Sequence, residues 1–491
     1  MARTVRRTLN EWLPDQPIYG NKGLSVATNV YPVARGYKRF QALSDFSNAG
    51  TNYLRAVFAC EDTTGSVKIF AGDETKLYLF NSSTQNLDNV SKGGGYTLDI
   101  QDKWKFAQFG NVVIAVAGHG ETIQKFDLGT DSQFSDLATG VNATHLTVVR
   151  DFVFTANNSS GINNARWSSL GDATSWTSSQ TTQADNQDIS DLGQITGLVG
   201  GTEVIILCER GIVLGRYVGT PLIWQFDVIE SNRGCNFANS IVNVAQQVFY
   251  YTDDGFYTFD SRRGSRPIGH EKVDTFFKND FNTSYAYKMS SAVDPTNKLI
   301  MWAYTSTSSS DGSADKILVY NYVLDRWSVV EQASDTLSAI LTSGKTLEQL
   351  DSISSSIENL PASLDSDLYK GGNLLFVGSQ NSKISTFTGT SLNATLETGE
   401  FEHSSKRLSL LSQVRPLYEK AESDSATVTV QTGGRRTTAD NFTYGSAVTL
   451  NTDGFAPTRV NNRYHRVRLN LSGDWSSVYA LDLDIESVGN R

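Results

Sequence analysis

A short aromatic strand that ends in Asn, Asp or Gly recurs along the whole chain. The first five copies are spaced by about 40 to 50 residues, and the last two by about 60 to 70. A β-propeller blade repeats at about 40–50 residues, so the last two spacings require insertions. The copies are KLYLFN at 76–81, IQKFDLG at 123–129, ARWSSLGD at 165–172, IVLGRYVG at 212–219, GFYTFD at 255–260, ILVYNYVLDRW at 317–327 and KISTFTG at 383–389.

The segment 247–269 shows the pattern most clearly. It reads QVFYYTDDGFYTFDSRRGSRPIG, with two aromatic runs on either side of Asp253-Asp254-Gly255. Asp bonds to its own backbone in turns, and Gly accepts positive φ, so this segment is predicted to be a β-hairpin. Its aromatic residues are interpreted as packing surface.

The composition favours a folded all-β chain. The 491 residues include 40 Gly, 24 Phe, 20 Tyr and 8 Trp, while only 19% are charged and only 9 are Pro. Aromatic residues and glycines suit many short strands and turns. We expect a β-propeller of six to eight blades, with seven favoured, over residues 49–391.

The net charge of −10 argues against tight binding to nucleic acid, because surfaces that grip a phosphate backbone are usually basic. Solubility alone is an equally good explanation of mild acidity. No apolar run approaches the length needed to cross a bilayer, and the N-terminal residues do not resemble a secretory signal.

The N-terminal residues 1–48 differ from a blade. The first 40 contain seven Lys or Arg residues against Glu11 and Asp15, and Pro14 and Pro17 impose extended backbone. This basic arm either straps onto the core of its own chain or docks on an acidic neighbour. Its Trp12 and Tyr37 provide apolar surface for either role.

Two helices are predicted. The segment 271–281 places Val273, Phe276 and Phe277 at helical spacing. The segment 343–360 carries a longer apolar stripe that Pro361 ends, so a helical insertion is expected near 343–361. Packing over the β core and contact with a neighbouring subunit are its two possible roles.

From residue 392 the strands become longer and alternate more regularly between polar and apolar residues. ATVTVQTGG at 426–434 and RYHRVRLNLSG at 463–473 are examples. We expect a separate β-sandwich platform over 392–491, and its Arg residues make it locally basic.

No catalytic constellation stands out. The five His are scattered, no Gly-rich phosphate loop precedes a helix, and the three Cys (Cys60, Cys208, Cys235) have no metal-binding spacing. We therefore expect no enzyme activity, no cofactor and no metal site, with buried thiols in a reducing compartment. A propeller glycosidase stays an alternative, because any two carboxylates can meet in space.

Several phrases resemble tail tube, nozzle or hub proteins of short-tailed bacteriophages, a family also described as packaged-DNA stabilisation proteins. The resemblance runs from end to end. The phrases are LPDQPIYGNKGLSVATNVYPVARGY at 13–37, VFYYTDDGFYTFD at 248–260, PIGHEKVDTFF at 267–277, AVDPTNKLIMWAY at 292–304, LVYNYVLDRWS at 318–328, SLDSDLYKGG at 363–372 and NRYHRVRLNLSGDW at 462–475.

The resemblance implies a structural protein of the virion tail, assembled in the cytoplasm of a bacterial host. It implies a homohexameric ring below the head-to-tail adaptor that extends the DNA channel, retains packaged DNA and mounts tail fibres, spikes or a needle. Double-stranded DNA would pass without sequence-specific binding. A receptor-binding fibre or spike protein of the same particle is the other possibility.

Within that interpretation, the basic arm and the Arg-rich strands near the C-terminus are the candidate surfaces for docking the adaptor or a neighbouring subunit. The residues assigned to this docking are Arg3, Arg6, Arg7, Trp12, Arg35, Lys38, Arg39, Arg463, Arg466 and Arg468.

Overall fold

The computed structural model describes residues 3–342, 350, 354, 356, 358, 374–421 and 425–489. The predicted helical insertion near 343–361 lies, apart from four single residues, outside this described part of the chain.

Five short strands come from the N-terminal arm. They are β1 (Arg3–Thr8), β2 (Leu24–Thr28), β3 (Val30–Pro32), β4 (Tyr37–Arg39) and β5 (Ser44–Asp45). None of them pairs with the next except β3 with β4, so the arm obtains most of its hydrogen bonds from distant parts of the chain.

Seven four-stranded antiparallel units follow within the described residues, and each is one propeller blade. Blade 1 contains β6 (Ala56–Glu61), β7 (Val67–Gly72), β8 (Leu77–Phe80) and β9 (Leu87–Asn89). Blade 2 contains β10 (Lys105–Phe109), β11 (Val112–Val116), β12 (Gln124–Asp127) and β13 (Ser135–Asp136). Blade 3 contains β14 (His145–Val149), β15 (Phe152–Asn158), β16 (Gly161–Trp167) and β17 (Asp185–Asp188).

The remaining blades keep the same order. Blade 4 contains β18 (Ile195–Val199), β19 (Val204–Cys208), β20 (Ile212–Gly219) and β21 (Ile223–Glu230). Blade 5 contains β22 (Val242–Val244), β23 (Gln247–Thr252), β24 (Gly255–Asp260) and β25 (Gly264–Pro267). Blade 6 contains β26 (Ser290–Asp294), β27 (Leu299–Tyr304), β28 (Lys316–Asn321) and β29 (Arg326–Val330). Blade 7 contains β30 (Leu337–Leu341), β31 (Leu374–Gln380) and β32 (Lys383–Thr386), and the arm strand β5 is its fourth strand.

The blades form a closed ring. The first strands of neighbouring blades contact each other at six of the seven junctions, including that of β30 in blade 7 with β6 in blade 1. At the seventh junction, blades 4 and 5 share a hydrophobic cluster that contains Val199 and Val248. Blade 7 is completed by the arm, because Ser385 pairs with Asp45 and Thr386 with Ser44. This closure ties the two ends of the ring together without a free sheet edge between them.

The C-terminal strands are longer. They are β33 (Ala394–Thr398), β34 (Phe401–Glu402), β35 (Leu408–Lys420), β36 (Thr427–Arg435), β37 (Val448–Thr449), β38 (Ala456–Asn462), β39 (Tyr464–Ser472) and β40 (Trp475–Gly489). Buried and part-exposed residues alternate along β39, as expected for a strand with one face in the core.

These strands and the arm build two sheets. One has the order β3-β4-β40-β35-β38, with β1 also paired to β40. The other has the order β2-β33-β39-β36-β37 and continues through a parallel contact of β2 with β29 into blade 6. The arm, the propeller and the platform follow one another along the chain, but in space the arm contributes strands to both platform sheets and to blade 7.

One hydrophobic core joins the platform to the propeller. It contains Trp12 of the arm, Phe256 of blade 5, Trp302 and Trp327 of blade 6, and Trp475 of the platform. Each of these side chains is at most 2% exposed. Large aromatic rings bury the most apolar area, so this core is the main interface that holds the platform on the propeller.

The hairpin predicted in the segment 247–269 is confirmed, with Thr252 paired to Gly255 across the turn. The short helix is also confirmed as α1 (Asp274–Asp280). Gly255 lies against it: its φ is +130°, and a Cβ there would stand 2.2 Å from a carboxylate oxygen of Asp274. A side chain at position 255 would therefore displace the helix from the hairpin.

The fold class predicted from the sequence is confirmed: the chain is an all-β propeller with an added β platform and little helix. In the described part of the chain, no helix has the length and apolar character of a membrane span.

Candidate docking surface

The arm packs mainly on its own chain. Trp12 is 2% exposed, its indole N–H donates to the carbonyl of Ser25 at 3.2 Å, and its ring meets Phe276 edge-on at 5.0 Å. Tyr37 is fully buried and donates its hydroxyl to the carbonyl of Asn10 at 2.8 Å. Trp12 is therefore an anchor of the fold and presents no free surface to a partner in this structure.

The arginines of the arm differ in what they contact. Arg3 lies at the start of β1, opposite Ile485. Arg6 is exposed and forms a two-pronged ion pair with Asp482, at 2.8 and 3.0 Å. Arg7 lies over the ring of Phe401, 3.8 Å from its centroid, and burial lowers the pKa of Arg7 to about 10.

Two of the arm cations assigned to docking are exposed and have no ion-pair partner among the described residues. They are Arg35, in the turn between β3 and β4, and Lys38, in β4. Arg39, next to them, is half-buried and is paired with Asp474 and bonded to Ser391. Of the residues assigned to docking, Arg35 and Lys38 are therefore the arm cations most available to an acidic partner; Lys22, which is outside that set, is exposed as well.

Arginines of β39 and of the turn before it face glutamates that lie in β33, in β34 and between these two strands. Arg463 Nε donates to Glu402 at 2.6 Å. Arg468 donates to Glu397 at 2.8 and 2.9 Å. Arg466 is further from its acidic neighbours, with nitrogen–oxygen distances of 3.7 Å to Glu397 and Glu400.

Two of the three acidic partners are buried. Glu397 is 4% exposed and Glu400 is 1% exposed. Arg435 holds Glu400 with two bonds of 2.8 and 2.6 Å. A buried carboxylate without a cation is strongly destabilising, so these arginines stabilise the platform of their own chain.

Sequence reasoning assigned the arginines to docking and missed the three glutamates. The signal was present in part, because Glu400 and Glu402, and likewise Arg466 and Arg468, stand two residues apart, which is the spacing of residues on one face of a strand. Only the pairing of β33 with β39, for example Glu397 with Arg468, shows that the two rows face each other.

Part of this cluster reaches the surface. The rings of Tyr19 and Tyr464 meet edge-on at 5.1 Å, and Arg463 lies 5.0 Å from the centroid of Tyr464. Ile18 and Tyr19 are 44% and 46% exposed. We call Ile18, Tyr19 and Arg463 the arm patch. An exposed aromatic residue beside an arginine is the kind of surface that dominates protein–protein binding energy.

Burial holds the three Cys thiols and His145 in their neutral forms. Burial raises the pKa of each of the three Cys thiols to about 12 and lowers the pKa of His145 to about 3. A thiol with a raised pKa is a poor nucleophile and metal ligand. Within residues that the structure describes, no group of three His, Cys, Asp or Glu side chains could hold a metal ion.

No family model matches the chain, and no curated protein matches it. Among solved structures, a quinoprotein alcohol dehydrogenase-like protein from Bacteroides thetaiotaomicron is 11% identical, with a TM-score of 0.32 over 56% of this chain and 65% of that one. The extracellular domain of a hybrid two-component system from the same organism is 10% identical, with a TM-score of 0.35 over 93% of this chain and 58% of that one.

A third solved structure, apo AztD from Citrobacter koseri, is 11% identical, with a TM-score of 0.31 over 62% of this chain and 86% of that one. The chain thus spans less than two thirds of the first two neighbours. These likenesses concern the fold alone. The assignment as a propeller rests on the seven blades of the chain itself.

Proposed function

We propose that this protein is the tail nozzle or hub of a short-tailed bacteriophage. In this role it is a structural virion protein that forms a homohexameric ring below the head-to-tail adaptor. The ring extends the DNA channel, retains packaged DNA and mounts fibres, spikes or a needle. The protein then acts without catalysis.

The proposal rests on one observation: the sequence segments that resemble this family come together in the fold. Residues from six of these phrases, far apart in sequence, supply side chains to the one core between platform and propeller. Among them are Leu24, Phe256, Phe277, Trp302 and Trp327, and the C-terminal phrase adds its own. The resemblance therefore follows a single structural unit. The phrase at 363–372 lies outside the described residues.

That unit is suited to bearing load. A sheet that runs from blade 6 through β2 into the platform gives the two parts a continuous backbone hydrogen-bond network. A ring that holds pressurised DNA and carries appendages needs such a connection, because separate domains on a linker would move independently.

The docking surfaces in this proposal are the arm patch and the cations Arg35 and Lys38. The arm patch provides the exposed apolar groups of Ile18 and Tyr19, whereas Arg35 and Lys38 are cations that have no internal carboxylate partner among the described residues. The adaptor or a neighbouring subunit would supply the acidic groups. The paired arginines 463, 466 and 468 would hold the shape of this surface.

The acidic balance of the chain fits DNA that passes through the ring. Each phosphate neutralised by a Lys or Arg adds salt-dependent adhesion, so a net charge of −10 favours mobile DNA in a channel between subunits. Release would follow a change between closed and open loop arrangements on receptor contact.

The test is to count copies of this chain in purified particles by quantitative mass spectrometry, with the portal protein of the same particle as internal standard. We expect half as many copies as portal subunits, which corresponds to six on a twelvefold portal. The major capsid protein, counted in the same digest, controls for losses during purification.

Two outcomes would contradict the proposal. A copy number several times higher than that of the portal would assign the chain to fibres or spikes. Its absence from the particle would exclude a structural role, and the glycosidase alternative would then be tested with oligosaccharide substrates.

A further inference from the structure

A cavity of about 190 Å³ lies among the first strands of the blades, at the axis of the propeller. Five of the seven blades line it. They contribute residues from β6, β10, the turn before β22, β26 and β30.

The charged residues that line this cavity are all cations: Arg55, Lys103 and Lys105. Arg55 is paired with Glu74 at 3.0 Å. The Lys103 ammonium donates to the backbone carbonyls of Lys288 and Met289 at 3.2 and 2.7 Å. Lys105 makes one long bond, 3.4 Å, to the side-chain oxygen of Asn239.

Neither lysine has a carboxylate within ion-pair distance among the residues that the structure describes. Burial lowers the pKa of both, that of Lys103 to about 7. Two ammonium groups in a cavity without a carboxylate in ion-pair contact are costly, because desolvation penalises the charged form, and the attraction of Asp335 offsets only part of that penalty for Lys103. The positive charge of the cavity lining is a local feature, since the chain as a whole is acidic.

The rest of the lining can bond an anion. Ser290 and Thr336 bring hydroxyl groups to the cavity, and the 3.3 Å hydrogen bond between them uses one of their two protons and leaves the other for an anion. The Ser291 hydroxyl also lines the cavity, but its proton is donated to the carbonyl of Asn239 at 2.7 Å. Ammonium and hydroxyl groups are the donors that tetrahedral oxyanions accept in proteins.

We propose that the axial cavity binds a small tetrahedral oxyanion of the phosphate class between the ammonium groups of Lys103 and Lys105. The volume admits one such ion with a few waters, each of which occupies roughly 30 Å³. It is smaller than the roughly 300 Å³ or more that larger organic ligands occupy. The inference is independent of the proposed role in a phage tail.

The cavity adjoins a second one of about 140 Å³, with Arg55 and Lys103 common to both. Asp102, Asp335 and Lys288 also line this second cavity. Its carboxylates disfavour an anion there, so the oxyanion is expected in the first cavity, which Lys103 and Lys105 both line. Bound at that position, it links blades 1, 2, 5, 6 and 7 through one set of polar contacts and stabilises the ring.

The experiment is isothermal titration calorimetry of the full chain with inorganic phosphate at pH 7, with sodium chloride used to hold the ionic strength constant. Sulfate and glycerol 3-phosphate are titrated in parallel. We expect phosphate and sulfate to bind, and the bulkier phosphomonoester to bind at least about tenfold more weakly. Lys105→Gln should weaken phosphate binding by about tenfold or more, whereas the control Lys22→Gln, on the exposed surface, should change it less than about twofold.

A second variant and a second readout cover the case in which Lys105→Gln misfolds. Lys103→Met removes the other ammonium, and thermal unfolding reports on both variants. Phosphate should raise the melting temperature of the native chain and leave that of Lys103→Met nearly unchanged. Any of three results would overturn the inference. Phosphate binding could be undetectable at about 10 mM, it could be unaltered in both variants, or it could be no tighter than that of glycerol 3-phosphate.

Discussion

At the scale of residues, Arg35 and Lys38 differ from the other cations assigned to docking. Arg6, Arg39, Arg463, Arg466 and Arg468 face carboxylates of their own chain, with Arg466 at the longer distances, so a partner would have to compete with an existing ion pair. Arg35 and Lys38 are exposed and have no such pair among the described residues. They can bind an acidic partner without loss of an internal contact.

We therefore expect the double substitution Arg35→Glu, Lys38→Glu to reduce incorporation of the protein into phage particles at least about tenfold, because it places two like charges against an acidic surface. The measurement is mass spectrometry of particles made when the variant complements a phage that lacks its own copy. Arg262→Glu, Arg263→Glu, in an exposed turn of blade 5, carries the same change of charge and should assemble normally. Equal incorporation of both variants would exclude Arg35 and Lys38 from docking.

At the scale of elements, α1 depends on the arm for its first turn. The residue before it, Val273, provides no side-chain cap. Instead the carboxylate of Asp15 accepts hydrogen bonds from the backbone N–H groups of Thr275 and Phe276 at 2.8 and 2.7 Å. A carboxylate at this end of a helix also interacts favourably with the helix dipole.

Asp15→Ala should lower the free energy of unfolding by about 1 kcal/mol, the usual cost of losing a helix cap. Asp15→Asn keeps one oxygen acceptor of the two, so it should retain one of the two hydrogen bonds and lose less than Asp15→Ala. Urea unfolding followed by tryptophan fluorescence measures both, since Trp12 packs on Phe276 of the same helix. A loss for Asp15→Asn equal to that for Asp15→Ala would mean that a single oxygen acceptor at this position does not stabilise the helix.

At the scale of the whole molecule, the arm determines whether the fold closes. It supplies β5 to blade 7, β2 to one platform sheet, and β1, β3 and β4 to the other. Its side chains Leu9, Trp12 and Leu24 belong to the central core. Propeller and platform share that core and one sheet, so they are expected to unfold together.

Removal of residues 1–48 should therefore abolish cooperative thermal unfolding and lead to aggregation, because it opens blade 7 and exposes the core. Removal of residues 1–8 deletes β1 alone and keeps Leu9 and Trp12, so this shorter chain should still unfold in one transition at a lower temperature. Calorimetry of both chains provides the comparison. A folded, cooperative chain 49–491 would show that the propeller closes without the arm.

The local elements and the fold class can be predicted from the sequence alone. The turn residues Asp253, Asp254 and Gly255 and the aromatic runs around them specify a hairpin whatever surrounds it, because turn geometry and strand periodicity are local. Repetition of that pattern predicts blades, and the longer alternating strands after residue 392 predict a platform.

The contacts of the charged residues and the position of the arm become visible only in the folded chain. The arginines of β39 looked like free docking groups because their partners, Glu397, Glu400 and Glu402, lie more than 60 residues away in sequence. In the same way, the sequence does not show where the arm lies. Its strands pair with β40, β33 and β32, so the arm straps onto its own chain. The axial lysines 103 and 105 carry no sequence signal, since their position beside one cavity results from ring closure. Such contacts join distant residues, and no local pattern specifies which distant residue a side chain meets.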